Sequence, residues 1–199
     1  MPPFSPQIPV DIVLSDLWMK RLKALWADMD EAYAAVAAAY GFNCRGCEEN
    51  CCRTRFYHHT LLEYLCLHQG FQQLDTGLQR TLRRRAQVVS DYQASADREL
   101  QHADHLCPLN LNGLCCLYAY RPMICRLHGI PHELHPGDGR VVSGPGCDAF
   151  VAACGQKPHV IFDRTPFYRQ MAALEQQLRR ESGYPYKIKM TVAEMVACF

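Results

Sequence analysis

The chain has 199 residues, 49% of them apolar and 21% charged, which suits one compact domain and excludes a disordered chain apart from a flexible, proline-rich start at Met1 to Pro9. Its 21 basic and 20 acidic side chains leave a formal net charge of +1, so there is no electrostatic case for binding nucleic acid or an anionic membrane. The anomaly is the cysteine count of 12.

So many cysteines mean either a disulfide framework in an oxidising compartment or thiolate ligands in a reducing one. Met1 to Val10 holds four prolines and no basic residue, and Ile12-Val13-Leu14 is too short for a signal h-region or a membrane span. The expectation is a cytosolic chain with reduced thiols. The vicinal pairs Cys51-Cys52 and Cys115-Cys116 agree, because adjacent cysteines fit poorly into a disulfide plan.

In chain order, Ser15 to Tyr40 reads as a long amphipathic helix. Leu22, Leu25, Trp26, Met29, Tyr33, Val36 and Tyr40 recur at three- and four-residue steps, and Gly41 stands where a C-cap belongs. The cysteine-rich stretch Phe42 to Tyr57 follows. Thr60-Leu61-Leu62-Glu63 has the form of a capping box, predicting a helix that stops at Gly70. Leu74, Leu78, Leu82, Val89 and Tyr92 mark a third helix, with Arg80, Arg83, Arg84 and Arg85 on a solvated outer face open to an acidic protein partner. From Leu106 to Gly146 the helical period vanishes and turn residues multiply, from Pro108 and Gly113 to Gly144-Pro145-Gly146. That span predicts loops with at most short strands, which need a cross-link to be held. Thr165-Pro166 opens a helix with Phe167, Met171, Leu174 and Leu178 on one face, ending at Gly183, and Thr191 to Glu194 opens a last one.

The cross-link is legible in the cysteine spacing. Cys44, Cys47 and Cys51 stand three and four residues apart, which brings three thiols to one side of a helical or turn-like backbone. Cys52 lies about 100° further round such a backbone, so it suits a different metal or another corner of a larger cluster. Thiolates packed this closely repel one another and would be protonated without a soft cation. Downstream, Cys107, Cys115, Cys125 and Cys147 each lie beside turn formers. Arg121 and Arg126 follow closely, with N–H donors suited to thiolate or sulfide and a positive charge to offset an anionic centre.

The pattern Cys44-x2-Cys47-x3-Cys51-Cys52, Cys107-Pro108-Leu109, Cys115-x-Leu-Tyr118-x-x-Arg121-Pro122-x-x-Cys125-Arg126 and Gly146-Cys147 resembles the YkgJ-type cysteine-cluster family of zinc- or iron-chelating domains. The resemblance spans Cys44 to Cys147. It implies Cys44, Cys47, Cys51, Cys52, Cys107, Cys115, Cys125 and Cys147 as metal ligands, with Arg121 and Arg126 as cofactor-contacting residues. Cys66 and Cys198 read instead as small buried hydrophobes. Cys116 and Cys154 stand outside the pattern. His102, His105, His128, His132 and His135 are spaced suggestively for ligation, as is common for histidine. The pair His58-His59 points in two directions on any backbone, and Glu63 already has a capping role.

The expected fold is mainly α, with helices flanking a loop-rich, cysteine-ligated metal-binding core. The expected cofactor is an iron–sulfur cluster, four-iron four-sulfur before zinc, because Gly46 and Asn50 can offer N–H groups to sulfide and the arginines can offset charge. Three roles follow: an electron carrier, cluster carrier or redox sensor; a metal-cluster-dependent enzyme, for which flagellin lysine methylases with a similar cysteine box are the precedent; or a zinc-stapled structural or interaction module. No nucleophile elbow, phosphate-binding glycine loop or His-Glu-x-x-His helix occurs.

Overall fold

The computed structural model describes residue 8 and residues 12–44, 51–98 and 105–199. The described chain is mainly helical, as its periodicity predicts. Its helices are α1 (Asp16–Tyr40), α2 (Leu61–Gln72), α3 (Thr76–Arg98), α4 (Met123–Leu127), α5 (Asp148–Cys154), α6 (Thr165–Ser182) and α7 (Val192–Cys198). Two antiparallel hairpins interrupt them, β1 (Asn110–Leu111) with β2 (Leu114–Cys115), and β3 (His132–Leu134) with β4 (Val142–Gly144). No described helix is long and apolar enough to cross a membrane. The chain divides into two compact units, each assembled from separated segments.

The first unit comprises Met1–Met19, Cys52–Pro122 and Leu174–Phe199. Its core is mostly aliphatic: Leu61, Leu62 and Leu65 of α2, Leu82, Ala86 and Val89 of α3, and Met195 and Val196 of α7 are all buried, with the ring of Phe71 among them. The start of α2 is capped twice. Thr60 Oγ1 accepts the Glu63 N–H (3.1 Å), and the buried Glu175 carboxylate accepts the N–H groups of Leu61 (2.8 Å) and Leu62 (3.0 Å). A carboxylate at a helix N-terminus satisfies orphan donors and meets the positive end of the macrodipole. Arg179 pairs with the same carboxylate at 2.5 Å. At α7 the capping box is complete, with Thr191 and Glu194 bonded reciprocally.

Two expectations need correction here. α2 runs past Gly70, which is not its cap: the Tyr120 ring lies where a Cβ at residue 70 would be, so the glycine serves close packing. The arginine run is not a uniform outer face either. Arg80 and Arg84 are exposed, but Arg83 donates to the Phe199 carbonyl (2.8 Å) and Arg85 to the Asn110 carbonyl (3.0 Å).

The second unit comprises Lys20–Cys51 and Met123–Ala173. Leu22, Leu25, Trp26 and Met29 are buried on the face of α1 that the periodicity marks, and Gly41 takes φ 61° as a left-handed C-cap. Phe150 of α5, a helix the sequence reading did not foresee, is the hub of an aromatic core. It meets Tyr40 (4.8 Å between centroids) and Phe42 (5.1 Å), both edge to face. β3 and β4 pair His132 with Gly144 and Leu134 with Val142, and Glu133 also bridges to Asp163. Thr165 is the first residue of α6. Its hydroxyl accepts the His135 N–H (2.7 Å), while Asp163 Oδ1 accepts the Thr165 N–H (2.8 Å).

Candidate metal centres

In the first unit Cys107 precedes a tight hairpin and Cys115 ends it. Asn112 and Gly113 both have positive φ (52° and 89°), the geometry that a two-residue turn between right-twisted strands requires. Asn110 fixes this turn by accepting the Gly113 N–H through Oδ1 (3.0 Å), and Arg85 holds its carbonyl. The Cys107 N–H donates to the Cys52 carbonyl at 2.8 Å, tying the first half of the cysteine pattern to the second. Burial, with smaller contributions from Cys116 and Cys52, pushes the Cys115 thiol up to about 11 against the opposing pull of a Leu117 N–H and Arg121. Cys52, Cys115, Cys116 and Arg121 therefore share one electrostatic neighbourhood. The Arg121 guanidinium stacks on the Tyr118 ring, 3.9 Å from its centroid.

In the second unit Cys44, Cys125 and Cys147 are positioned by three different devices. Cys44 follows the α1 cap, and its Sγ lies 3.8 Å from the Tyr33 hydroxyl. Cys125 sits in α4. Cys147 is the N-cap residue of α5, held by its N–H to the Gly129 carbonyl (3.1 Å). Gly129 has φ 121°, a conformation other residues rarely adopt, and a Cβ there would stand 2.7 Å from the Tyr33 hydroxyl. Tyr33 thus touches the Cys44 thiol on one side and the loop joining Cys125 to Cys147 on the other.

Arg126 is almost fully buried. It pairs with Asp30 at 2.6 Å and lies 4.1 Å over the Trp26 ring, so its described contacts tie α4 to α1. Cys154 is buried and donates to the Tyr40 carbonyl (3.5 Å), a packing role, and Cys66 is buried as expected. Cys198 is exposed, against expectation, because α7 buries Ala193, Met195 and Val196 instead. Among the histidines, His58 is buried in a bridge to Met190, and His105 stacks on Tyr92 (3.9 Å). His135 and His159 both bond Glu133. Burial and Arg164 lower His128 and His132, the latter to about 4. Cys47, Gly46, Asn50, His102 and the side chain of Cys51 lie outside the described residues.

No family model, curated protein or solved structure matches this chain.

Among the described residues, no three His, Cys, Asp or Glu side chains form a group placed to hold a metal ion. What the described residues do supply is donor chemistry that fits a soft cation. Cys115 is a half-buried thiol whose ionisation is opposed by desolvation and by two neighbouring cysteines, a penalty that coordination to a cation would reverse. Two contributors to these neighbourhoods were not read from the sequence. Tyr33 carries only the signal of a core position. Arg164, one residue before α6, carries none at all.

Proposed function

We propose that this chain is a metal-binding protein that holds cysteine-ligated centres, iron–sulfur before zinc, and acts as an electron carrier, cluster carrier or redox sensor. The observation that carries the reading is the way the cysteine pattern divides. Cys52, Cys107 and Cys115 belong to one compact unit with Arg121, and Cys44, Cys125 and Cys147 to the other. The unit boundary falls between the vicinal Cys51 and Cys52. Eight candidate ligands in two sets suit two four-thiolate centres, each carrying two net negative charges whether it holds zinc or an oxidised four-iron cluster. A guanidinium beside each set would offset that charge. Bound iron–sulfur would supply one-electron chemistry, and the thiols would supply its attachment.

One observation favours the zinc-module alternative. The hairpin from Cys107 to Cys115 presents two thiols from a short, glycine-turned loop, an economical frame for a closed tetrahedral site. The two metals are told apart by protein purified without oxygen. Iron–sulfur gives a brown sample with acid-labile sulfide, broad absorption near ~400 nm and bleaching by dithionite. A colourless sample with stoichiometric zinc and no sulfide would assign the structural role instead.

A further inference from the structure

The two sides of α3 differ in kind. Leu82, Ala86 and Val89 are buried on the side that packs against α7. On the other side Arg80, Arg84, Val88 and Tyr92 stand four residues apart, so they follow one another along the helix in a single exposed row. Val88 is 63% exposed and Tyr92 40%. At the rise of an α-helix the row is about 18 Å long. Arg83 and Arg85 do not belong to it, because the Phe199 and Asn110 carbonyls hold them.

The charge of this row is not balanced where it stands. No acid lies three or four residues from Arg80 or Arg84, the separations at which side chains meet on a helix, and the two arginines are themselves at a spacing where like charges repel. Among the described residues neither takes part in an ion pair. A helix face that serves only to meet water mixes its signs at these steps. This one is basic at one end and apolar at the other. The apolar end is also held in place: the Tyr92 ring stacks on His105, 3.9 Å between centroids, two residues before Cys107.

We propose that the row from Arg80 to Tyr92 is a docking face for a protein partner, an acidic amphipathic helix of about three turns. Its carboxylates meet Arg80 and Arg84, and its apolar side chains cover Val88 and Tyr92. Arginine and tyrosine are enriched in protein–protein interfaces, and a tyrosine already stacked loses little freedom on docking. Nucleic acid suits the row less well. Phosphate binding draws on many cations, the whole chain carries a formal net charge of +1, and Val88 offers a phosphate nothing. The proposal goes beyond the metal-binding reading and stands without it.

Fluorescence anisotropy on the full chain tests it with labelled probes: a peptide with glutamates in its first turns and leucines in its last, the same peptide with lysine for glutamate, and a single-stranded oligonucleotide. The acidic peptide is expected to bind saturably and to release as salt rises, since the arginines it meets are exposed. R80E combined with R84E should weaken it by roughly tenfold or more, as exposed attractions become repulsions. V88S should weaken it less, by about threefold, for the lost apolar contact. These are surface positions, where substitution leaves the fold intact, and circular dichroism verifies that. Absence of saturable binding, equal binding of the lysine peptide, or binding that either variant leaves unaltered overturns the docking face. Oligonucleotide binding that R80E with R84E abolishes and V88S does not would assign the row to phosphate, and overturns it as well.

Discussion

The two units differ in how they hold the arginines that lie in the same unit as each cysteine set. Around Cys52, Cys107 and Cys115 the candidate countercharge is Arg121, stacked on the exposed Tyr118 at the end of a short hairpin. In the unit of Cys44, Cys125 and Cys147 two arginines are buried: Arg126 pairs with Asp30, and Arg164 bonds the Leu127 and Ile130 carbonyls. A charge near solvent is screened and costs little to place, and it contributes correspondingly little. A buried charge costs more to hold and acts over a longer range. If both sets hold metal, the second should be the more sensitive to its surroundings.

Removing the metal is the largest expected perturbation. Structural zinc contributes about 10–16 kcal/mol in small peptides, comparable to or larger than the ~5–15 kcal/mol net stability of a whole domain. Chelation should therefore open the 106–146 span to protease while most helical circular dichroism persists. An unchanged digestion pattern in demonstrably metal-free protein would break the coupling between ligation and loop structure.

The next effect separates the units. Gly146 has φ 91°, and a Cβ there would stand 2.9 Å from the Gly129 carbonyl oxygen. Gly146→Ala should destabilise by roughly 1–3 kcal/mol through backbone strain, and should displace Cys147. Gly70→Ala in the other unit meets only the Tyr120 ring. Overpacking of that kind costs about 1–3 kcal/mol, offset by the ~1 kcal/mol that alanine gains over glycine in a helix. Denaturant unfolding with metal analysis distinguishes the two. Gly146→Ala should lose metal, Gly70→Ala should keep it, and the reverse pattern would contradict the ligand positions.

A smaller effect comes from His58, a buried residue whose Nε2 has no partner. Burial lowers its pKa below 6.5, against a weaker raising influence from Glu63. The unfolded chain therefore takes up this proton first. Its contribution is intact above pH 6.5 and is lost as pH falls, by at most about 1.4 kcal/mol per pH unit. His58→Gln should flatten the stability profile between pH 6.5 and pH 5, and an unaltered slope would mean that the ring is hydrated.

The helices were legible because their burial follows a simple period: Leu22, Leu25, Trp26 and Met29 in α1, and Phe167 and Met171 in α6, are buried where three- and four-residue steps place them. Thr60 and Thr191 were legible because a cap is a local contract between residues three apart. Long-range contacts were not. Gly70 has the sequence signature of a helix stop and serves instead as a seat for Tyr120, fifty residues away. The same holds for the site. Spacing singled out eight cysteines, and the described ones divide between the two units, but nothing local marks Arg164, whose buried place comes from the carbonyls that another segment brings to it. Arg126, adjacent to Cys125 in sequence, makes its described contacts with α1.

The central claim is one thiolate centre per unit, and metal stoichiometry of paired variants tests it most directly. Full-length protein carrying C107S and C115S, and protein carrying C125S and C147S, should each retain about half of the wild-type metal, since a core or surface thiol outside the sets contributes no ligand. Cys66→Ser and Cys198→Ser should retain all of it. Complete loss in either pair would mean a single shared centre, and full retention in both would mean that these cysteines hold no metal at all.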